Sequence, residues 1–511
     1  MEKIKPNTVK ESEKNSGNPA IFKDVYPIQE PYLYAAIIKD PDTKKTTYKV
    51  IEPTLQKNEK KVLTEVKKLL IEEIDVNLKE IETKEKAELY LEEKLRGTIK
   101  KYHIKISPES VDKIAYYVIR DFMGYERLDP LMKDHLIEDI SADGVNIPIY
   151  VWHRLYESLP TNIVFEEEDE LNSFIIRLAY LSGKNISRAS PILDASLPDG
   201  SRIQLTYGSE VTRRGSTFTI RRFKIDPLTI SDLIALNTVS SEIAAYLWYL
   251  IENKASVIVA GGVASGKTTM LNCLSMFIRP EMKIVSVEDT PELNLPHENW
   301  IPSVVRLGFG HKSRERWNIS LFDLLKAAVR QRPDYIIVGE VRGEEAYTLF
   351  QAMATGHLGM STLHAESVDA AINRLESEPM NVPKTLIAMI DVVMVMARSE
   401  IEEKPARRAT KVTEVTNLDR DTLRIQTKEA FKWSPKPDEF SYSGHSNFLN
   451  EQREKSGASL EEIEQELKRR KIILEWMVRK GIRHYRQVAN TIREYYVDPK
   501  RVYRRARVGL K

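Results

Sequence analysis

Hydrophobic and polar positions change period several times along this chain, and each change marks an element. Between residues 30 and 52, the run PYLYAAIIKDPDTKKTTYKVIE predicts two strands around the turn DPDTKK. Charged patterns of helical period fill residues 53–136, as in KVLTEVKKLLIEEI and AELYLEEKLRGTIKKY. From IEDISADG to about residue 224, short β-rich runs (IPIYVW, SRIQLTYG, STFTIRRFK) alternate with one helix, EDELNSFIIRLAYLSG. The segment DPLTISDLIALNTVS, residues 226–240, reads as a linker that contains a capped helix. Beyond residue 241, short continuous apolar strands (SVIVAGG, KIVSVED, DYIIVGE, MSTLHA) are separated by helices, the pattern of a parallel sheet covered on both faces. Residues 451–495 return to charged helix, and the end, DPKRVYRRARVGLK, is basic. Residues 1–20 are polar and aperiodic and predict a disordered tail. The expected organisation is therefore that tail, a helical and β extension over 21–136, an α+β domain over 137–225, the linker, and an α/β domain over 241–511 with a helical C-terminal tail.

A chain of 511 residues exceeds what one hydrophobic core supports, in agreement with several domains. Its 77 basic and 75 acidic residues nearly cancel, so the overall charge provides no general attraction to nucleic acid. The single cysteine, Cys273, excludes an intramolecular disulfide and a four-cysteine zinc module, and cytoplasm is the default compartment. The longest apolar run, LIAMIDVVMVMA, is shorter than the ~20 residues of a membrane span and contains Asp391. The N-terminus has positive charge but no apolar core of a secretory signal, so any membrane contact is expected to be peripheral.

The strongest chemical signal is GGVASGKT, which matches G-x-x-x-x-G-K-[ST] between an apolar strand and a helix. Such a loop wraps a phosphate with backbone N–H groups at a helix N-terminus. Gly261, Gly262, Val263, Ala264, Ser265, Gly266, Lys267, Thr268 and Thr269 are the expected nucleotide-binding residues. Lys267 would bridge the terminal phosphates of a nucleoside triphosphate, and Thr268 would hold Mg²⁺ through its hydroxyl. Glu340, after the strand in RPDYIIVGE, is the expected acid for the Mg²⁺ shell. In VEDTPEL, Glu288, Asp289 and Glu292 are each placed to position an attacking water, with an acidic surface turn as the alternative. TGHLGMSTLHA puts His357 and His364 seven residues apart with no cysteine near, a poor zinc ligand set.

These segments, in this order, resemble the Walker A, Asp box, Walker B and His box of the type II/type IV secretion ATPase superfamily. LDASLPDGSRIQL and TFTIRRF are similar to the end of that family's N-terminal domain. The resemblance covers about residues 135–420. It implies a RecA-like P-loop NTPase domain preceded by an α+β domain with a helical extension, working as a homohexamer that hydrolyses ATP. It implies Glu292 as the catalytic glutamate, with Glu288 and Asp289 supporting it or the Mg²⁺ shell. His364 becomes the phosphate contact or sensor, and His357 orients its loop, with a satisfied structural histidine as the alternative for His357. Arg202, Arg221 and Arg222 fall in motifs whose arginines reach nucleotide in the family; Arg213 and Arg214 are equally basic, and a solvated strand face is the alternative for each. Arg330 and Arg332 serve a subunit interface or pair with Asp334.

The lack of a cysteine-rich insertion, the EDTPEL sequence, the long N-terminal extension and the helical C-terminal tail are similar to archaeal members, above all archaellum motor ATPases. Adhesive-pilus ATPases look much alike. The implied partners are a polytopic membrane platform protein and other motor components. The two chain termini are candidates for contact with those partners or with acidic lipid. A RecA-like nucleic-acid motor shares the P-loop but not the Asp and His boxes, and a nucleotide-binding scaffold without turnover would not need so many catalytic residue types.

Overall fold

The computed structural model describes residues 21–74, 83–223, 226–306, 318–401, 404–419, 421–422 and 424–510. The expected disordered tail lies outside them. The chain divides into two compact units between Phe223 and Lys224, and each is described by itself.

The first unit carries β1 (Ile21–Gln29), β2 (Leu33–Lys39), β3 (Thr46–Ile51), β4 (Ile137–Ala142), β5 (Pro148–His153), β6 (Glu157–Val164), β7 (Ile192–Ser196), β8 (Arg202–Thr206) and β9 (Thr217–Arg221). They form one sheet in the order β1-β2-β3-β6-β5-β4-β9-β8-β7. Helix Glu168–Leu181 supplies Leu171, Phe174, Ile175 and Leu178 to a core shared with Ile140, Val151, Leu205, Phe218 and Ile220. Helices Lys57–Glu73, Lys84–Lys101 and Pro108–Met123 pack on one another around Val66, Leu70, Leu91, Leu95 and Ile114.

The expected border at residue 136 is not a border between cores. Leu33, Ala35, Ile37 and Tyr48 from β2 and β3 lie in the same hydrophobic cluster as Ile140 and Val151. β3 meets β6 at Tyr48 and Thr161, and the Asn162 side chain both accepts from Val50 N (2.8 Å) and donates to Val50 O (3.1 Å). A buried polar knot joins the same elements. Asp134 accepts from the hydroxyls of Tyr26 (2.6 Å) and Tyr48 (2.7 Å) and from Leu136 N (2.8 Å). His153 Nδ1 accepts from Leu155 N (3.1 Å) and Tyr156 N (3.3 Å), which leaves its proton on Nε2, 3.1 Å from the Tyr26 hydroxyl. An unmade hydrogen bond costs most where water cannot replace it, so the knot fixes how the extension docks.

The second unit is built on a mixed sheet of β10 (Val257–Gly261), β11 (Ile284–Glu288), β12 (Trp300–Val304), β13 (Tyr335–Val338), β14 (Leu358–His364), β15 (Val392–Ile401), β16 (Lys404–Leu418), β17 (Ile425–Ser434) and β18 (Glu439–Tyr442). The order is β12-β11-β13-β14-β10-β15-β16-β17-β18. The six strands from β12 to β15 pair in parallel, as the apolar runs predict. The last three strands are antiparallel and were not legible as such, because β16 reads KPARRATKVTEVTNL with few apolar positions.

Alternate strand residues feed two cores. Tyr335 and Ile337 face helix Ser241–Glu252 and the C-terminal helices, while Ile336 and Val338 face helices Leu321–Arg330 and Glu345–Ala354. Helices Leu460–Arg479, Tyr485–Val497 and Pro499–Leu510, expected as a tail, bury Ile473, Leu474, Met477, Val488, Ile492 and Val502 in the first of these cores. Residues 226–240, expected as a linker, also belong to it. Helix Ile230–Ala235 is capped by Thr229 and Asp232, and Ile230, Leu233 and Val239 are buried.

Asp134→Ala would strand two tyrosine hydroxyls and one backbone N–H. It is expected to cost the first unit about 3 kcal/mol, more than Asp134→Asn. Urea unfolding combined with amide hydrogen exchange at β3 and β4 measures the difference.

Candidate functional site

The parallel strands end together, and the candidate residues gather at their C-terminal ends. β10 runs into the phosphate loop, whose backbone turns sharply. A Cβ at Gly261 would lie 2.5 Å from Met396 O and 2.6 Å from Ser265 Oγ, so no larger residue fits. Gly266 begins helix Lys267–Ser275 at φ +90°, a conformation that favours glycine. Ser265 Oγ donates to Gly262 O (2.9 Å), which holds the loop folded on itself.

Lys267 is the first residue of that helix and is only 8% exposed. Its Nζ donates to Gly262 O (2.8 Å) and lies 3.4 Å from His364 Nδ1, at the end of β14. Burial pulls the Lys267 pKa down, while the Glu340 carboxylate and, more weakly, Glu292 oppose the shift. His364 is also pulled down, by burial first and by the Lys267 ammonium second, so the ring is neutral at pH 7. Its Nδ1 then accepts from Lys267, and Nε2 carries the proton, 3.0 Å from Glu340 Oε1. That pair is misaligned, however, and Glu340 Oε1 is buried without a hydrogen bond.

An orphaned carboxylate oxygen beside the phosphate loop fits a metal-bound water. Thr268 is half-buried on the first turn of the same helix, next to Lys267. Glu340 and Thr268 therefore suit the Mg²⁺ assignment. Arg342, which no motif reading singled out, pairs with the other oxygen of Glu340 and lies 3.9 Å from Asp289 Oδ2. Its signal was the EVRGEE sequence itself, since Glu345 Oε1 accepts from the Arg342 and Gly343 backbone N–H groups (2.6 and 2.8 Å) and fixes that turn.

Glu288 and Glu292 part company. Glu288 is 2% exposed at the end of β11, and its Oε1 accepts from the backbone N–H of Glu292 (2.9 Å) and Leu293 (3.0 Å). Burial pushes its pKa up to about 7 in spite of those two bonds. Asn272, also outside the motif reading, accepts from Asn294 N (2.9 Å) and ties the same loop to the phosphate-loop helix. Glu288 thus holds the segment that presents Glu292, which is half-buried. It supports the loop, and a direct catalytic role does not fit its burial.

Three further expectations are corrected. Arg222 donates to the backbone carbonyls of Asp134 and Ile137 (3.2 Å to the latter) and is pulled down in pKa by burial, so it holds the start of β4. It is not a free arginine. Arg202 and Arg221 are exposed neighbours on β8 and β9, with Asp194 3.9 Å from Arg202. Arg213 and Arg214 lie in the exposed turn before β9. His357 precedes β14, seven residues from His364 at the far end of the strand, and its Nδ1 lies 2.9 Å from Pro333 O. It does not orient the loop at the site. Arg330 and Arg332 are exposed at that same far end, and Asp334 accepts from Lys283 N (2.7 Å) in place of either arginine.

A parallel sheet with a phosphate loop after one strand, a carboxylate after a second and a histidine after the strand between them defines a RecA-like P-loop domain. The type II/IV secretion system protein family matches residues 129–496, and the chain belongs to that family. An uncharacterized protein of Methanocaldococcus jannaschii is 37% identical over 92% of this chain and 88% of its own length. A second from the same organism is 50% identical over 46% of this chain and 87% of its own. The type IV secretion system protein PtlH of Bordetella pertussis is 33% identical over 51% of this chain and 86% of its own. Among the described residues, no helix is long and apolar enough to cross a membrane.

Glu288 binds its proton more tightly in the folded chain (about 7) than its ordinary 4.5. Its contribution is therefore full below pH 4.5 and is lost as pH rises through 7, by about 3 kcal/mol. Glu288→Gln, which keeps an oxygen for both N–H groups, is expected to flatten that slope. Denaturant titrations of both proteins at pH 5 and pH 8 provide the comparison.

Proposed function

We propose that this chain is a Mg-ATP-hydrolysing motor that powers assembly of an archaellum, acting as a homohexamer on a membrane platform protein at the cytoplasmic face of the membrane. The observation that carries the catalytic part is the row Lys267–His364–Glu340–Arg342 set along three adjacent strand ends in front of the phosphate loop. Similarity to relatives in Methanocaldococcus jannaschii supports an archaeal machine.

In this reading the loop amides and Lys267 bind the β- and γ-phosphates, giving up the Lys267–Gly262 bond for the stronger charge-assisted one. Thr268 and Glu340 would hold Mg²⁺, which when bound neutralises phosphate charge. Glu292 accepts the proton of the attacking water, and the hydroxide adds to the γ-phosphorus as the bond to the ADP oxygen breaks. Neutral His364 carries its proton on Nε2 between Lys267 and Glu340, where it reads the phosphate end of the site.

A second reading, a motor for an adhesive pilus or a secretion machine, is supported by the similarity to PtlH. A deletion strain separates the two. Loss of swimming with adhesion and secretion intact supports the archaellum, and the converse supports the second reading.

Lys267→Ala is expected to reduce ATP turnover to background in a colourimetric phosphate-release assay. Glu292→Gln should lower kcat by about 10²–10³ with little change in KM. His364→Ala should bind ATP but hydrolyse it slowly, and unchanged turnover in either of the last two variants would remove that residue from the mechanism.

A further inference from the structure

Arg407 lies outside every motif and on an exposed stretch of β16, yet it reaches the phosphate loop. Its Nε donates to Ala264 O (3.0 Å), and its Cδ stands 3.3 Å from where a Cβ on Gly266 would be. Ala264 is at φ +56°, a strained conformation for a residue with a Cβ, so this peptide is held in place by its contacts.

The next residue explains why Arg407 is so placed. Successive strand side chains point to opposite faces, and Arg408 points inward, where it is 5% exposed. Its Nε and Nη2 grip the two carboxylate oxygens of Asp438, each at 2.8 Å, and its Nη1 donates to Leu236 O (3.2 Å). Asp438 also accepts from Trp433 Nε1 (2.8 Å) and Asn237 Nδ2 (3.0 Å). Ala409 N donates to Thr238 O (2.8 Å). Two consecutive residues of β16 are therefore locked to the segment around residues 236–238, and Arg408 Nη1 also donates to Arg407 O (2.9 Å), so the backbone that carries Arg407 is fixed beside the loop.

A cation hydrogen-bonded to a carbonyl polarises that peptide, and the N–H on its other side becomes a stronger donor. For Ala264 that N–H belongs to Ser265, one of the amides that such a loop turns toward an anion. We propose that Arg407 is a positioning residue of the phosphate site: it fixes and polarises the Ala264–Ser265 peptide from outside the loop, and the Arg408–Asp438–Asn237 lock sets it there. The proposal rests on the nucleotide-binding reading above and adds a residue that touches the loop but not the reacting atoms.

The test uses full-length protein, a fluorescent ADP analogue to measure Kd, steady-state ATP turnover, and thermal melting. Arg407→Ala is expected to raise Kd and KM about tenfold, with kcat within about twofold and the melting temperature unchanged. Arg407→Lys, which keeps the charge but not the Nε geometry, should recover part of the affinity. Asp438→Asn should raise Kd in the same direction, and adding it to Arg407→Ala should raise it no further. Unchanged Kd in Arg407→Ala, with binding lost in Lys267→Ala, overturns the proposal and leaves the nucleotide reading standing. A fall in Kd overturns it too, since Arg407 would then hold the empty loop shut. A drop in kcat at constant KM overturns it by making Arg407 a catalytic contact. Failure of the wild-type chain to bind the analogue overturns the nucleotide reading itself.

Discussion

Lys267 has to hold a positive charge where water is largely excluded, and the rest of the site is arranged around that cost. Burial lowers its pKa, so the ammonium needs acceptors close by. Gly262 O and His364 Nδ1 supply them directly, and Glu340 supplies opposite charge one step further away. This works because the strands bearing the loop, the histidine and the acid lie side by side in parallel, which brings their C-terminal ends to one edge. A row of alternating charge and hydrogen-bond partners results, from Lys267 through His364 and Glu340 to Arg342 and Asp289. In the proposed reaction, a phosphate entering the loop would compete for the first member of that row, and the others would feel the change electrostatically.

Around the row stands a set of side chains that hold backbone. Glu288 and Asn272 fix the segment bearing Glu292, Glu345 fixes the turn bearing Arg342, and Arg407 reaches the loop from β16. Their common chemistry is a side-chain hydrogen bond to a loop amide or carbonyl. Loops that carry function have few backbone partners of their own, so such bonds decide where their side chains point. The first unit uses the same device for docking, with Asp134 gathering two tyrosines and a backbone amide and Arg222 closing on the carbonyls of Asp134 and Ile137.

Much of this was open to a reading of residues alone. The parallel half of the second sheet announced itself in short apolar runs, because strands buried on both faces leave no polar alternation. The phosphate loop was legible in GGVASGKT, since glycines, lysine and threonine at that spacing between strand and helix serve few other ends. The antiparallel half and the docking of the C-terminal helices were not legible. β16 has almost no apolar periodicity, and a charged amphipathic helix looks the same whether it covers a core or stands in solvent.

Two pairs of adjacent arginines show where local sequence stops. RR at 407–408 places one guanidinium outward and one inward, because strand neighbours face opposite sides, and RR at 221–222 leaves Arg221 exposed while Arg222 turns to the carbonyls of Asp134 and Ile137. The letters do not say which is which. Glu288 and Glu292 pose the same problem, since both are acids after a strand, and only packing buries the first and leaves the second half-exposed. By itself the sequence determined the chemistry available and the strands that carry it, because those depend on residue type and local period. The tertiary structure decided which of two like residues is buried against backbone and which is left exposed or half-exposed, because burial and strand register are properties of neighbours distant in the chain.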